Sequence, residues 1–146
     1  MLIKDVMTTK PVCCDPADTL DTVAKLMLEH DCGEIPVCDG AKILGVITDR
    51  DITLRVVAAG RTPSAVTVRD VMTNNVVTIR DTDKVGRALE LMEEKLVRRL
   101  PVVNDDDKLV GIVSEADLVA KMPAMKVARL VRSVSKKTRG HARAAI

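Results

Sequence analysis

Two heptapeptides carry the residue types best suited to binding chemistry. Gly45-Val46-Ile47-Thr48-Asp49-Arg50-Asp51 and Gly111-Ile112-Val113-Ser114-Glu115-Ala116-Asp117 share a glycine, two apolar residues, a hydroxyl and, three residues later, an aspartate. A Thr or Ser at the start of a helix sits beside unpaired backbone N–H groups and the positive end of the helix dipole, where an anion is favoured. One turn on, an ionised carboxylate can accept from two vicinal hydroxyls, and the preceding glycine lets a ligand approach the backbone. The same Thr-x-x-Asp spacing also forms an ordinary capping box, a role compatible with binding. One copy alone would read as capping, whereas two copies in a matching duplication point to a binding motif.

The remaining reactive side chains are fewer. Cys13, Cys14, Cys32 and Cys38 all fall in the first half of the chain, where the second half has Thr78, Ile79, Val97 and Val103. Three of the four replace apolar residues, so buried small hydrophobes are the plain expectation. A zinc site made with His30 would lack any Cys-x-x-Cys pair. A bond from Cys13 or Cys14 to Cys38 is a candidate redox feature, because their strands should be parallel neighbours. His30 ends a helix and His141 lies near the C-terminus, with no partner in sequence for a Ser-His-Asp or Cys-His arrangement, so no catalysis is expected.

The elements that position these motifs are duplicated as well. Asp5-Val6-Met7-Thr8 returns as Asp70-Val71-Met72-Thr73, and the stripe Leu20, Val23, Ala24, Met27 returns as Val85, Ala88, Leu89, Met92. Both stripes have the i, i+3, i+4, i+7 spacing of a half-buried helix. Ile35-Pro36-Val37 returns as Leu100-Pro101-Val102. Each copy reads strand, helix, strand, strand, helix: a first strand at Val12 to Cys14 or Val76 to Ile79, then a parallel crossover, then a hairpin turning at Asp39-Gly40 or Asn104 to Asp107. In the first copy the last helix should run from Asp49 to Ala59 and stop at Gly60. The chain thus divides into repeats at 1–62 and 63–122, joined by Arg61-Thr62-Pro63-Ser64, with a further segment at 123–146. The fold class is α/β (α+β), with two βαββα-type repeats packed in pseudo-two-fold symmetry, since each is too small to bury its sheet alone.

Charge is split along the chain. All 21 acidic residues lie at or before Asp117, with 15 of the 23 Lys and Arg, whereas residues 118–146 hold 8 basic residues and no acid. Past Met122-Pro123, Val127, Leu130, Val131 and Val134 form an apolar stripe among Lys126, Arg129, Arg132 and Lys136, which predicts a basic amphipathic helix before a disordered end at Ser135 to Ile146. That helix could pack on the body or on a partner, or serve a scaffold that binds nucleic acid or an anionic surface. The absence of Phe, Tyr and Trp disfavours single-stranded nucleic acid, because no base can stack on an aromatic face. No stretch approaches the ~18 to 20 apolar residues of a membrane span, and no secretory signal opens the chain, so a cytoplasmic protein is expected.

The paired motifs, the paired apolar-Pro-Val strands and their order over residues 3–120 resemble a CBS-domain pair, the tandem cystathionine β-synthase module. The resemblance implies a stand-alone, non-catalytic sensor that binds an adenosine-containing ligand, AMP, ADP, ATP or S-adenosylmethionine, in clefts between the repeats and signals to a regulated protein. No other cofactor is implied. By resemblance Thr48 and Ser114 approach phosphate or sugar, and Asp51 and Asp117 accept from ribose hydroxyls. Ile35, Pro36, Val37, Leu100, Pro101 and Val102 flank the base, and Arg98 and Arg99 reach phosphate. The first repeat departs from this pattern with Gly33 and Glu34 at the arginine positions. Glu34 would repel phosphate, so two unequal clefts are expected. A homodimer is implied too, and a thiol redox switch through Cys13, Cys14 and Cys38 stands as an alternative function.

Overall fold

Apolar spacing along the helices and alternation along the strands place the elements, and a computed structural model describes residues 1–121 together with Ala128 and Arg132. Apart from Ala128 and Arg132, the expected basic helix and C-terminal tail lie outside the described residues. The chain contains β1 (Thr8–Thr9), α1 (Leu20–His30), β2 (Glu34–Asp39), β3 (Lys42–Thr48) and α2 (Asp49–Ile52). It continues with α3 (Val68–Val71), β4 (Ile79–Arg80), α4 (Val85–Lys95), β5 (Arg99–Val103), β6 (Leu109–Ser114) and α5 (Glu115–Lys121). No helix among the described residues is long and apolar enough to cross a membrane.

These elements form two compact units, Pro11–Val76 and Met1–Lys10 with Val77 onward. The units are therefore offset from the repeats as read along the sequence. In the Pro11–Val76 unit, β2 and β3 form an antiparallel hairpin, Cys14 bridges Val37 in parallel, and Thr73 bridges Val46 antiparallel on the other edge. The other unit repeats the plan as a four-stranded sheet in the order β1-β6-β5-β4, with β4 parallel to β5. The Asp-Val-Met-Thr segment that opens each repeat thus joins the sheet built mainly from the other repeat. Backbone bonds anchor both openings: Ile3 N–H donates to Asp83 O at 2.9 Å, and Val68 N–H to Asp18 O at 2.9 Å.

Each unit has its own core. Leu20, Val23 and Met27 of α1 pack with Ile35, Val37 and Ile47 of the hairpin and with Val66, Val68, Val71 and Met72. In the other unit Val85, Ala88, Leu91 and Met92 of α4 pack with Leu100, Val102 and Val113 and with Ile3 and Val6. Ala24 departs from its expected stripe and is exposed. Burial of these aliphatic side chains supplies most of the drive to fold, since the chain has no aromatic residue.

Two expected elements differ in detail. The first strands are shorter than the spacing predicts: a single bridge at Cys14 and the two residues of β4. Pro11 and Pro16 bracket Cys14, and proline gives no N–H to a ladder. The helix expected from Asp49 to Ala59 begins as α2 but widens over Thr53–Val57 into a π-helical turn, with Ala58 N–H donating to Thr53 O at 2.9 Å. The Thr53 hydroxyl donates to Asp49 O at 3.0 Å and competes with the helical ladder there. Gly60, with φ of +69°, ends that region as expected.

The hairpin turns behave as their residues require. Gly40 takes φ of +59° between β2 and β3. The longer second turn is held by Asn104, whose Oδ1 accepts from the N–H groups of Asp106 and Lys108, both at 3.0 Å.

Candidate functional site

The hydroxyl-to-aspartate motifs fall at strand-to-helix junctions in both units. At the end of β6, Ser114 N–H and Oγ both donate to Asp117 Oδ2 at 2.8 Å, and Asp117 N–H donates to Ser114 Oγ at 3.2 Å. At the end of β3, Thr48 N–H donates to Asp51 Oδ2 at 3.0 Å, and Asp51 N–H donates to Thr48 Oγ1 at 3.0 Å. Both motifs are thus complete capping boxes that satisfy backbone donors at the head of α2 and α5.

The two carboxylates differ in what remains available. Asp51 is only 9% exposed, and its Oδ1 lies 3.8 Å from Arg55, whose guanidinium also donates to Val71 O at 2.8 Å. Asp117 is half-buried, and its Oδ1 accepts no hydrogen bond from the described residues. That oxygen can accept from a ligand hydroxyl without dismantling the cap.

Beside Ser114 lies an open cavity of about 570 Å³ lined by Arg98, Arg99, Ser114, Glu115, Ala116 and Val119. Glu115 N–H donates to Arg98 O at 2.8 Å, which ties the start of α5 to the approach to β5. Arg98 Nε lies 3.6 Å from Glu115 Oε2, with the arginine side chain 60% exposed. The Arg99 side chain is exposed as well. The cavity therefore offers two guanidinium groups, one carboxylate and a hydroxyl at a helix N-terminus, around an apolar patch from Ala116 and Val119.

The equivalent place in the other unit is built differently. Asp49 N–H donates to Gly33 O at 2.9 Å, the counterpart of the Glu115 to Arg98 bond. A Cβ added at Gly33 would lie 2.8 Å from Asp49 Oδ2, so the space that Arg98 uses is closed here by a carboxylate. Glu34, at the start of β2, adds a second acid where Arg99 stands in the other copy.

Of the sequence-predicted site residues, the structure brings Arg98, Arg99 and Ser114 around one cavity, with Asp117 bonded to Ser114. Thr48 and Asp51 are together in the other unit. Ile35, Pro36, Val37, Leu100, Pro101 and Val102 are all buried, and Ile35, Val37, Leu100 and Val102 are fully so within the two cores. The motif glycines hold no space for a ligand: a Cβ on Gly45 would meet Thr73 O at 2.6 Å, and one on Gly111 would meet Thr8 O at 2.8 Å. Glu115 and Val119 line the cavity as well, though the sequence reading did not single them out. Their signal was position, one residue and five residues past Ser114 on the same helix.

The cysteines remain as four free thiols. Among the described residues no group of three or more His, Cys, Asp or Glu is placed to hold a metal ion. The CBS domain family model matches residues 3–58 and again 68–124. The chain belongs to the CBS-domain family. This CBS-domain pair is 33% identical over 132 residues to hypoxic response protein 1 of Mycobacterium tuberculosis, covering 90% of this chain and 92% of that one. The crystal structure of that hypoxic response protein, described with two coordinated zinc ions, matches with a TM-score of 0.77 at 35% identity and covers 84% of this chain and 100% of the other. A CBS-domain pair in complex with 5′-methylthioadenosine and S-adenosyl-L-methionine matches with a TM-score of 0.73 at 27% identity, over 82% of this chain and 94% of that one. The CBSX2 protein in complex with AMP matches with a TM-score of 0.70 at 28% identity, over 82% of this chain and 93% of that one.

Proposed function

We propose that this CBS-domain pair is a non-catalytic regulatory module that binds an adenosine-containing ligand at the Ser114 cavity and reports its occupancy to a partner protein. The observation that carries this reading is Ser114, which lines a cavity flanked by two exposed arginines and is bonded to Asp117 Oδ2, with Asp117 Oδ1 accepting no hydrogen bond from the described residues. Asp117 accepts from the ribose hydroxyls, and Arg98 and Arg99 neutralise phosphate. Ser114 and the head of α5 add hydrogen-bond donors and a favourable dipole. Adenosyl ligands in two solved relatives support the ligand class. On this reading the acidic surroundings of Asp49 and Glu34 make the Thr48 motif the weaker nucleotide site, and the module works as a homodimer.

The test begins with an absorption spectrum, because a chain without aromatic residues leaves the region near 260 nm clear for bound adenine. Thermal-shift titration with AMP, ADP, ATP and S-adenosylmethionine follows. At least one ligand should raise the melting temperature of the wild type, and Asp117→Ala should abolish that shift. Replacement of either Arg98 or Arg99 by Ala should weaken a nucleotide roughly ten- to a hundred-fold, since a charge-assisted hydrogen bond contributes about 1.5–3 kcal/mol. Failure of all four ligands to shift the wild-type melt would remove the sensor reading.

A further inference from the structure

The four thiols of the Pro11–Val76 unit occupy different environments. Cys14 N–H donates to Pro36 O at 3.0 Å and Cys38 N–H donates to Cys14 O at 2.9 Å, which lays Cys14 beside Val37 in parallel pairing. The Cys14 side chain belongs to the apolar cluster with Ile35 and Val37. Cys13 and Cys38 stand outside that cluster, one on each side of the Cys14–Val37 bridge, each thiol shifts the titration of the other, and Cys13 Sγ donates to Pro11 O at 3.4 Å. The sheet explains this placement, because neighbouring residues on a strand face opposite ways. The strand also bulges between Val37 and Cys38. Cys13 is exposed and Cys38 is buried.

We infer that Cys13 and Cys38 form a thiol–disulfide exchange site whose co-substrate is a low-molecular-weight disulfide. The inference is independent of the nucleotide reading and rests on residues of the other compact unit. Cys13 is the attacking thiol, because it alone of the pair reaches solvent. Its thiolate attacks one sulfur of RS–SR, forming Cys13–S–S–R and expelling RS⁻. Cys38 then gives its proton to the expelled thiolate and attacks the Cys13 sulfur, which forms Cys13–S–S–Cys38 and expels the second RS⁻, protonated in turn from the proton that Cys13 lost. Two protein thiols are oxidised and one small disulfide is reduced to two thiols, so electrons and protons balance.

The electrostatics agree with this division of roles. The Cys38 thiol lowers the Cys13 pKa to about 7 against the opposing effect of burial. Cys38 itself is pushed up, first by Cys13 and then by burial, and so keeps its proton until Cys13 has reacted. Cys14 is pushed up to about 12 by burial and then by Asp18, Cys13 and Asp15, which leaves it inert. The titratable groups acting on these thiols are Asp15, Asp18 and the thiols themselves. The bond would clasp the segment just past Lys10, where the chain enters this unit, onto β2.

The full-length reduced protein, incubated anaerobically with oxidised glutathione, provides the test. Titratable thiols should fall from four to two, and peptide mapping should place one bond between Cys13 and Cys38. Cys38→Ser should stop at a glutathione mixed disulfide on Cys13, and Cys14→Ser should still form the intramolecular bond. The rate of the first step should rise with pH through about 7 and then level off. Retention of four thiols in the wild type, a bond that includes Cys14 or Cys32, or wild-type protein that stops at the mixed disulfide would each overturn the proposal.

Discussion

Asp51 and Asp117 occupy the same place in two copies of one motif, yet their surroundings give their carboxylates different work. Arg55 takes the outer oxygen of Asp51, whereas Lys121 replaces that arginine in the second copy and forms no such pair among the described residues. On the proposed reading this difference one turn along the helix acts together with the carboxylates of Asp49 and Glu34 to make the Ser114 motif the stronger ligand site. The motif glycines are settled at this scale as well. Alanine at position 45 would drive its Cβ to 2.6 Å from the Thr73 carbonyl, a backbone atom already bonded to Val46 N–H at 3.0 Å and unable to move cheaply. Gly45→Ala should destabilise the protein by about 1–3 kcal/mol, the usual cost of overpacking. A lowered urea midpoint at unchanged slope would register it, and an unchanged midpoint would mean that the edge strand yields freely.

Helix α2 depends on its cap more than most helices do, because only four residues precede the π-helical turn. Asp51 holds Thr48 N–H and also faces Arg55, which in turn holds the Val71 carbonyl. Asp51→Ala should therefore cost about 1–2 kcal/mol without any ligand, within the range for a lost cap. Asp117→Ala should cost no more than that in stability while removing the ligand-induced shift. Measuring both variants with and without ligand separates capping from binding: equal loss of the ligand shift in the two would return the Thr48 motif to the binding site. The neighbouring helix α3 shows the same device, as Thr67 N–H and Oγ1 both donate to Asp70 Oδ2 and lower its pKa.

Each compact unit is one sequence repeat completed by the opening segment of the other. Val66, Val68, Val71 and Met72 belong to the core of the unit that begins at Pro11, although they follow the linker at Arg61 to Ser64. Each buried aliphatic side chain is worth about 1.5–3 kcal/mol, and a small domain is stable by only about 5–15 kcal/mol. A fragment spanning 11–76 should then unfold cooperatively on heating, while a fragment spanning 1–62 should not. Circular dichroism would decide the point, and a cooperative melt from 1–62 would show that the opening segments are dispensable to the core.

The sequence by itself determined the duplication, the hairpins, the parallel crossovers and the paired caps. All of these rest on local spacing: helical stripes such as Leu20, Val23 and Met27, turn residues such as Gly40 and Asn104, and a hydroxyl three residues before an acid. It also identified the family, because the motifs recur in the same order. Only the tertiary structure decided that each opening segment joins the sheet built from the other repeat, since a repeat read along the chain carries no record of which copy its edge strand pairs with. Likewise only tertiary packing gave Gly45 and Gly111 to the passing backbone and the apolar-Pro-Val strands to the core. It alone left Asp117 Oδ1 without a hydrogen bond among the described residues and separated Cys13 from Cys14. Those outcomes depend on atoms distant in sequence and on which face of a strand a side chain takes, and a one-residue change of register reverses every such assignment.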